Sequence, residues 1–157
     1  MTLLLEYEGV PGESTIQGYE KWIVIGSAQF GVGRGISSAF GGSTREGSIV
    51  SVSEITVTKE TDGSTIKLLE EALHGKLNKI VKIAYLRTGS GQSQEYLSFE
   101  LNGTGLSGFS MSSGGDRPTE SLSLNFDKFI LKYNPIGDDF SGSPATVGWD
   151  LAKAVKV

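Results

Sequence analysis

Apolar residues recur every second position through most of the chain, which is the signature of half-buried β-strands. Leu3, Leu5 and Tyr7 share one phase near the start. From Trp22 to Val32 the even positions (Trp22, Val24, Ala28, Phe30, Val32) are apolar or small and are expected to face the core. The odd face begins with Ile23 and Ile25 and turns polar at Ser27 and Gln29, predicting a surface that is part interface and part wet. Between Ile49 and Thr58 the apolar phase moves from Val50 and Val52 to Ile55 and Val57, implying a bulge or a bend between two sheets. Val81, Ile83 and Tyr85 form one further row and Leu97, Phe99 and Leu101 another, joined by the turn signal Thr88-Gly89-Ser90-Gly91. In 119–133, Leu122, Leu124 and Phe126 share one phase and Phe129, Leu131 and Tyr133 the opposite one. That switch, at Asp127-Lys128, is what a strand needs to pass from one sheet to another. A last strand is expected over 146–157, with Val147, Trp149 and Leu151 in phase.

One segment has helical spacing instead. Ile66, Leu69 and Leu73 repeat at i, i+3 and i+7, with Ser64 or Thr65 as N-cap and Gly75 placed to end the helix, which is expected over 64–74. Residues 33–48 form a Gly/Ser-rich stretch with few apolar residues. So long a loop inside a small domain points to an interaction loop. About eight strands and one helix in a single domain over 1–157 predict an all-β fold with one helix, a small barrel or two-sheet barrel.

Composition removes most chemistry. The 157 residues contain no cysteine and a single histidine, so a thiol nucleophile, a disulfide framework and a Cys-based zinc site are excluded. His74 falls in the last turn of the helix, where partial positive charge suits the helix dipole. No G-x-S-x-G elbow accompanies it. Gly31-Val32-Gly33-Arg34-Gly35 lacks the Lys-Ser/Thr ending and the following helix of a phosphate loop. Asp138-Asp139 lacks calcium-loop spacing, and Glu70-Glu71 occupy adjacent helix positions about 100° apart, poor for paired acid/base work. A net charge of −4 without a basic stripe argues against nucleic acid. The N-terminus has neither a basic n-region nor a long apolar run, so no signal peptide or membrane span is expected. Glycine is abundant, 22 residues, as turn- and bulge-rich β proteins require. No enzyme, cofactor or metal is expected from this inventory, and the protein should act through its surfaces.

Several strings, in order, resemble the Hcp (haemolysin-coregulated) proteins of type VI secretion systems. They are Gly12-Glu13-Ser14, Gln29-Phe30-Gly31, Thr58-Lys59 with Asp62, Ser64-Thr65 and Leu68, Glu95-Tyr96-Leu97, Asp116-Arg117-Pro118-Thr119-Glu120 before Leu124-Asn125-Phe126, and Gly148-Trp149-Asp150. The likeness spans nearly the whole chain. It implies a β-barrel with a side helix that assembles into hexameric rings. The rings stack into a hollow tube beneath a VgrG-type spike and inside a contractile sheath, and effectors travel in the lumen. On that likeness the protein is cytoplasmic before firing and is then secreted without a cleavable signal.

The resemblance places Ser27 and Gln29 on the lumen and Ile23 and Ile25 nearer a protomer seam. It makes the loop a contact to a neighbouring protomer or ring, with Phe40 as anchor and Arg45 and Glu46 beside it. The family often carries a tryptophan on each side of the lumen position, where this chain has Ala28 and Phe30. No C-terminal extension suggests a fused toxin domain. The alternative reading is a β-sandwich that binds carbohydrate or another small ligand, which would expose aromatics on one flat face.

Overall fold

Alternating strands whose phase breaks at defined points must change sheets there, and this chain does so repeatedly. The computed structural model describes residues 2–36, 47–88, 93–135 and 143–157. The strands are β1 (Thr2–Tyr7), β2 (Ile23–Ile25), β3 (Ser27–Gln29), β4 (Val32–Ile36), β5 (Gly47–Val52), β6 (Ile55–Glu60), β7 (Lys79–Thr88), β8 (Ser93–Ser112), β9 (Thr119–Asn125), β10 (Lys128–Tyr133), β11 (Ala145–Asp150) and β12 (Val155–Lys156). One helix, α1 (Thr65–His74), lies between β6 and β7.

The first sheet runs β12-β11-β10-β8-β7-β1-β2, with all named pairings antiparallel. The second runs β3-β6-β9 and ends on the C-terminal half of β8. Two strands cross between the sheets. β8 is 20 residues long and bends at Gly103, whose φ of +61° is a left-handed conformation that glycine adopts without steric cost. On the far side, β2 passes into β3 at Gly26, whose amide donates to the Thr58 carbonyl at 2.6 Å. The result is a two-sheet, incompletely closed barrel.

The phase switches read from the sequence fall at two further changes of sheet. β9 belongs to the second sheet and β10 to the first, with the change at Phe126-Asp127. Val50 and Val52 belong to β5, which pairs only with β4 in a separate two-stranded ribbon, whereas Ile55 and Val57 belong to β6. The ribbon continues the β3/β6 pair through Ser53, whose amide donates to the Gly31 carbonyl at 2.9 Å. Part of the expected loop is therefore paired strand, and 37–46 lie outside the described residues. The last expected strand is a hairpin: β11 turns at 151–154, with Asp150 Oδ1 accepting the Lys153 amide at 2.9 Å, and returns as β12.

The core fills the space between the sheets, with Leu5, Tyr7, Val81, Ile83 and Leu101 from the first facing Ile55, Val57, Leu122 and Leu124 from the second. A smaller cluster of Leu4, Ala84 and Leu86 lies on the other side of the first sheet, covered by Ile16, Tyr19 and Trp22. This corrects the phase expected over 22–32. Ile23 and Ile25 are core residues and Val24 is 48% exposed, because Gly26 resets the alternation and the inward set becomes Ala28 and Phe30. Trp22 belongs to the outer cluster instead.

The apolar stripe that marks the helix is not its buried face. Ile66 and Leu73 are exposed, and the helix seats itself through Thr65 and Leu68. Ser64 does not cap with its side chain, since its hydroxyl donates to Asp62 Oδ1 at 2.5 Å. Gly75 follows the helix with φ −69°, so it is not a left-handed cap. A Cβ there would lie 2.7 Å from the Glu71 carbonyl oxygen, and that crowding explains the glycine.

Candidate functional site

The outer face of the second sheet carries the positions left over when Ile55, Val57, Leu122 and Leu124 turn inward. Register aligns these positions in rows. One row is Gln29, Thr56, Ser123 and Gly108, and the next is Ser27, Thr58, Ser121 and Ser110. Every side chain in the two rows is small or uncharged, and each hydroxyl both donates and accepts hydrogen bonds. Ser27 Oγ and Thr58 Oγ1 lie 2.6 Å apart. A Cβ on Gly108 would approach Ser123 Oγ at 3.3 Å, so a side chain there would crowd the face. Among the described residues, charge appears on this face only at its margins. Glu60, exposed at one end, pairs with Arg117 at 3.5 Å, and Glu54 at the other accepts the Ser107 hydroxyl. The sheet ends on β3 at one side and on the C-terminal half of β8 at the other.

The inner face of the same sheet holds a charged pair that the apolar count did not reveal. Lys59 is in phase with Ile55 and Val57, and Glu120 with Leu122 and Leu124. They are opposite one another across β6 and β9. Their ammonium and carboxylate meet at 2.8 Å with both side chains fully buried. Glu120 also accepts from Thr61 at 2.8 Å and from Thr65 at 2.7 Å, while Lys59 reaches Asp62 at 3.1 Å. The network fastens the start of α1 to the sheet behind the hydroxyl face. Burial pushes both carboxyls up, but donors outweigh it. Ser64 and Lys59 hold Asp62 below its ordinary 3.8, and Lys59, Thr65 and Thr61 hold Glu120 below its ordinary 4.5.

A carboxyl whose pKa is lower in the folded state stabilises the fold at pH above its unfolded value. That contribution declines as pH falls below the unfolded value and is gone below the folded one. Stability is therefore expected to be flat through neutral and mildly acidic pH and to drop steeply once pH falls below the ordinary values, 4.5 and 3.8. Urea midpoints measured across pH check this. The acid step should shrink in a Lys59→Met/Glu120→Leu double variant, which removes one of the two carboxyls and the partner of the other.

Residues from three of the other strings quoted above make scaffold contacts as well. Gly12 packs where a Cβ would meet the Trp22 carbonyl oxygen at 2.4 Å, Glu13 accepts the Gly63 amide at 2.8 Å, and Ser14 is buried. Glu95 accepts the Tyr19 hydroxyl at 2.9 Å, and Arg117 donates to the Thr61 carbonyl at 2.6 Å.

Of the residues singled out in the sequence, Ser27 and Gln29 stand exposed at the edge of the hydroxyl face. Ile23 and Ile25 are brought into the core, 0% and 5% exposed, and are unavailable to a neighbour. The bend at Gly26 reverses the face they were expected to share with Ser27. Phe40, Arg45 and Glu46 lie outside the described residues, as does Asp138-Asp139. Sequence reasoning missed Thr56, Thr58, Ser121, Ser123 and Ser110. Their signal was the polar phase of strands whose apolar phase had been noticed. Among the described residues no helix is long and apolar enough to cross a membrane.

Fold and faces together define a two-sheet β protein that presents a neutral polar sheet to its surroundings and keeps its charged network as internal scaffolding. A family model described as "Type VI secretion system effector, Hcp" matches residues 4–133. Protein hcp1 of Pseudomonas aeruginosa is 32% identical over 111 residues, 68% of each chain. A type six secretion system protein of known structure superposes with a TM-score of 0.89 at 22% identity, covering 99% of both chains. Hcp1 from Salmonella typhimurium does so with a TM-score of 0.79 at 17% identity, covering 99% of this chain and 98% of that one. The chain belongs to the Hcp family, the secreted tube-forming component of type VI secretion systems.

Proposed function

We propose that six copies of this chain close into a ring with the hydroxyl face of the second sheet turned inward, and that rings stack into a hollow tube. The observation that carries this is the face itself. It is a sheet of four strands, uncharged over two full rows, and ending on strands that pair on one side only. Copies set side by side around an axis would bring such edges together and wall a channel with hydroxyls. Ser27 and Gln29 then line the lumen, where effectors are held without covalent chemistry. The protein acts by assembly and propulsion and not as an enzyme. A VgrG-type spike caps the tube and a contractile sheath surrounds it.

The seam role first given to Ile23 and Ile25 passes to Val24, exposed on the edge strand β2. Phe40, Arg45 and Glu46 remain proposed contacts to a neighbouring protomer or ring. The purified protein is expected to give a six-copy species in native mass spectrometry and annular particles by electron microscopy. A strict monomer at high concentration, with no rings, would overturn the assembly.

A further inference from the structure

We infer that Asp62-Gly63 is a site of spontaneous isoaspartate formation built into this chain, and that Glu13 is the positioning residue that keeps it closed in the folded protein. It is the sole Asp-Gly pair in the sequence. An aspartyl residue followed by glycine is open to this chemistry because no Cβ screens the glycine nitrogen. That nitrogen attacks Asp62 Cγ, forming an N–C bond as a Cγ–O bond breaks. The carboxyl O–H and the Gly63 amide hydrogen leave together as water, and a five-membered succinimide closes. Solvent water then opens the ring at one of its two carbonyls. One opening restores Asp62, and the other runs the main chain through the side-chain carboxyl as isoaspartate. The sequence needs no oxidant and no enzyme.

The fold accounts both for the presence of the pair and for its protection. A Cβ on Gly63 would lie 2.9 Å from Glu13 Oε1, so the glycine is what lets Glu13 approach. Gly63 donates its N–H to that oxygen at 2.8 Å. The flanking amides are held as well. Thr61 donates to the Pro118 carbonyl at 3.0 Å, Asp62 to Thr65 Oγ1 at 3.1 Å and Ser64 to Asp62 Oδ1 at 2.9 Å. Gly63 is itself exposed, so the hydrogen bond and not burial must shield its nitrogen. Attack requires that nitrogen to give up its proton and turn toward Cγ, and an amide pinned to Glu13 does neither. The carboxyl is disarmed too. Burial pushes its pKa up, but Ser64 and Lys59 outweigh this and hold it ionised at neutral pH, where a carboxylate gives up oxygen poorly. Isoaspartate here would add a methylene to the main chain between Lys59 and the start of α1, shifting the Asp62 carboxyl that Lys59 reaches.

The test incubates the full chain in warm neutral buffer, folded and in urea, and follows isoaspartate in the tryptic peptide 60–67. Folded wild type should react at least about tenfold more slowly than the unfolded chain, because the pinned amide reacts only when the turn opens. Glu13→Ala should speed the folded reaction about three- to tenfold, the worth of one hydrogen bond. Glu13→Gln keeps an acceptor oxygen in place and should restore slow reaction. Asn102-Gly103, the one Asn-Gly pair, serves as an internal clock, since its deamidation reports general loosening of the fold. Acceleration at Asp62 with an unchanged rate at Asn102 supports the pin. Equal acceleration at both sites, or no acceleration at Asp62, overturns it. Folded and unfolded wild type reacting at the same rate would overturn the protection altogether, whatever the variants do.

Discussion

Glu120→Ala is expected to destabilise the fold by about 3–5 kcal/mol, because it leaves the Lys59 ammonium buried without its main counter-charge. Lys59 and Glu120 are both fully enclosed. Removing the carboxylate also strands the Thr61 and Thr65 hydroxyls that donate to it. Asp62 offers Lys59 partial relief at 3.1 Å, which argues for the lower half of the range. The Lys59→Met/Glu120→Leu double variant should recover more than half of the loss, since a buried pair replaced by apolar side chains costs far less than a broken one. Chemical denaturation of the three proteins measures both numbers. A single variant as stable as the wild type would show that water reaches the site.

Leu68→Ala should cost about 2–5 kcal/mol, the range for emptying a fully buried leucine site. Leu68 is the only apolar side chain of α1 that is fully buried; Thr65 is the other buried residue, and Ala72 packs from the side. Losing it removes the helix's hold on the core while the network at its first turn still holds, so amide exchange over 65–74 should accelerate most toward the C-terminal end. Leu73→Ala is the control. That residue is 72% exposed and its truncation should cost less than about 0.5 kcal/mol. Equal effects at the two positions would mean that the stripe of Ile66, Leu69 and Leu73 is covered in solution.

The helix shows how far sequence periodicity reaches. Spacing located it within a residue or two but pointed to the wrong face, because the stripe at 66, 69 and 73 is apolar without being inward. Strand phase did better where a break coincides with a sheet change, as at Asp127-Lys128 and between Val52 and Ile55. It failed at Gly26, where a three-residue strand on each side is too short for its parity to be recognised across the bend. The buried pair was half visible. Lys59 and Glu120 each sit in the apolar phase of their strand, yet only the register between β6 and β9 shows that they meet. The hydroxyl face was half visible for the same reason. Ser27 and Gln29 stood out beside a recognised strand, whereas Thr56, Thr58, Ser121 and Ser123 gain meaning only when four strands are laid side by side.

Several of the strings that carry the family likeness are fastenings. Gly12 permits a close backbone approach, Glu13 ties a loop to the turn before α1, Glu95 holds Tyr19, and Arg117 clasps Thr61. These positions specify how the barrel is laced.

β8 adds a mechanical consequence. Its single backbone is laddered to β7 and β10 over its first part and to β9 over its last. The two layers therefore share one covalent girder, and a load applied along it puts many rungs in shear at once instead of opening them one by one. Pulling the layers apart would require breaking those rungs together, so the protomer should yield as a unit or not at all when it is driven forward.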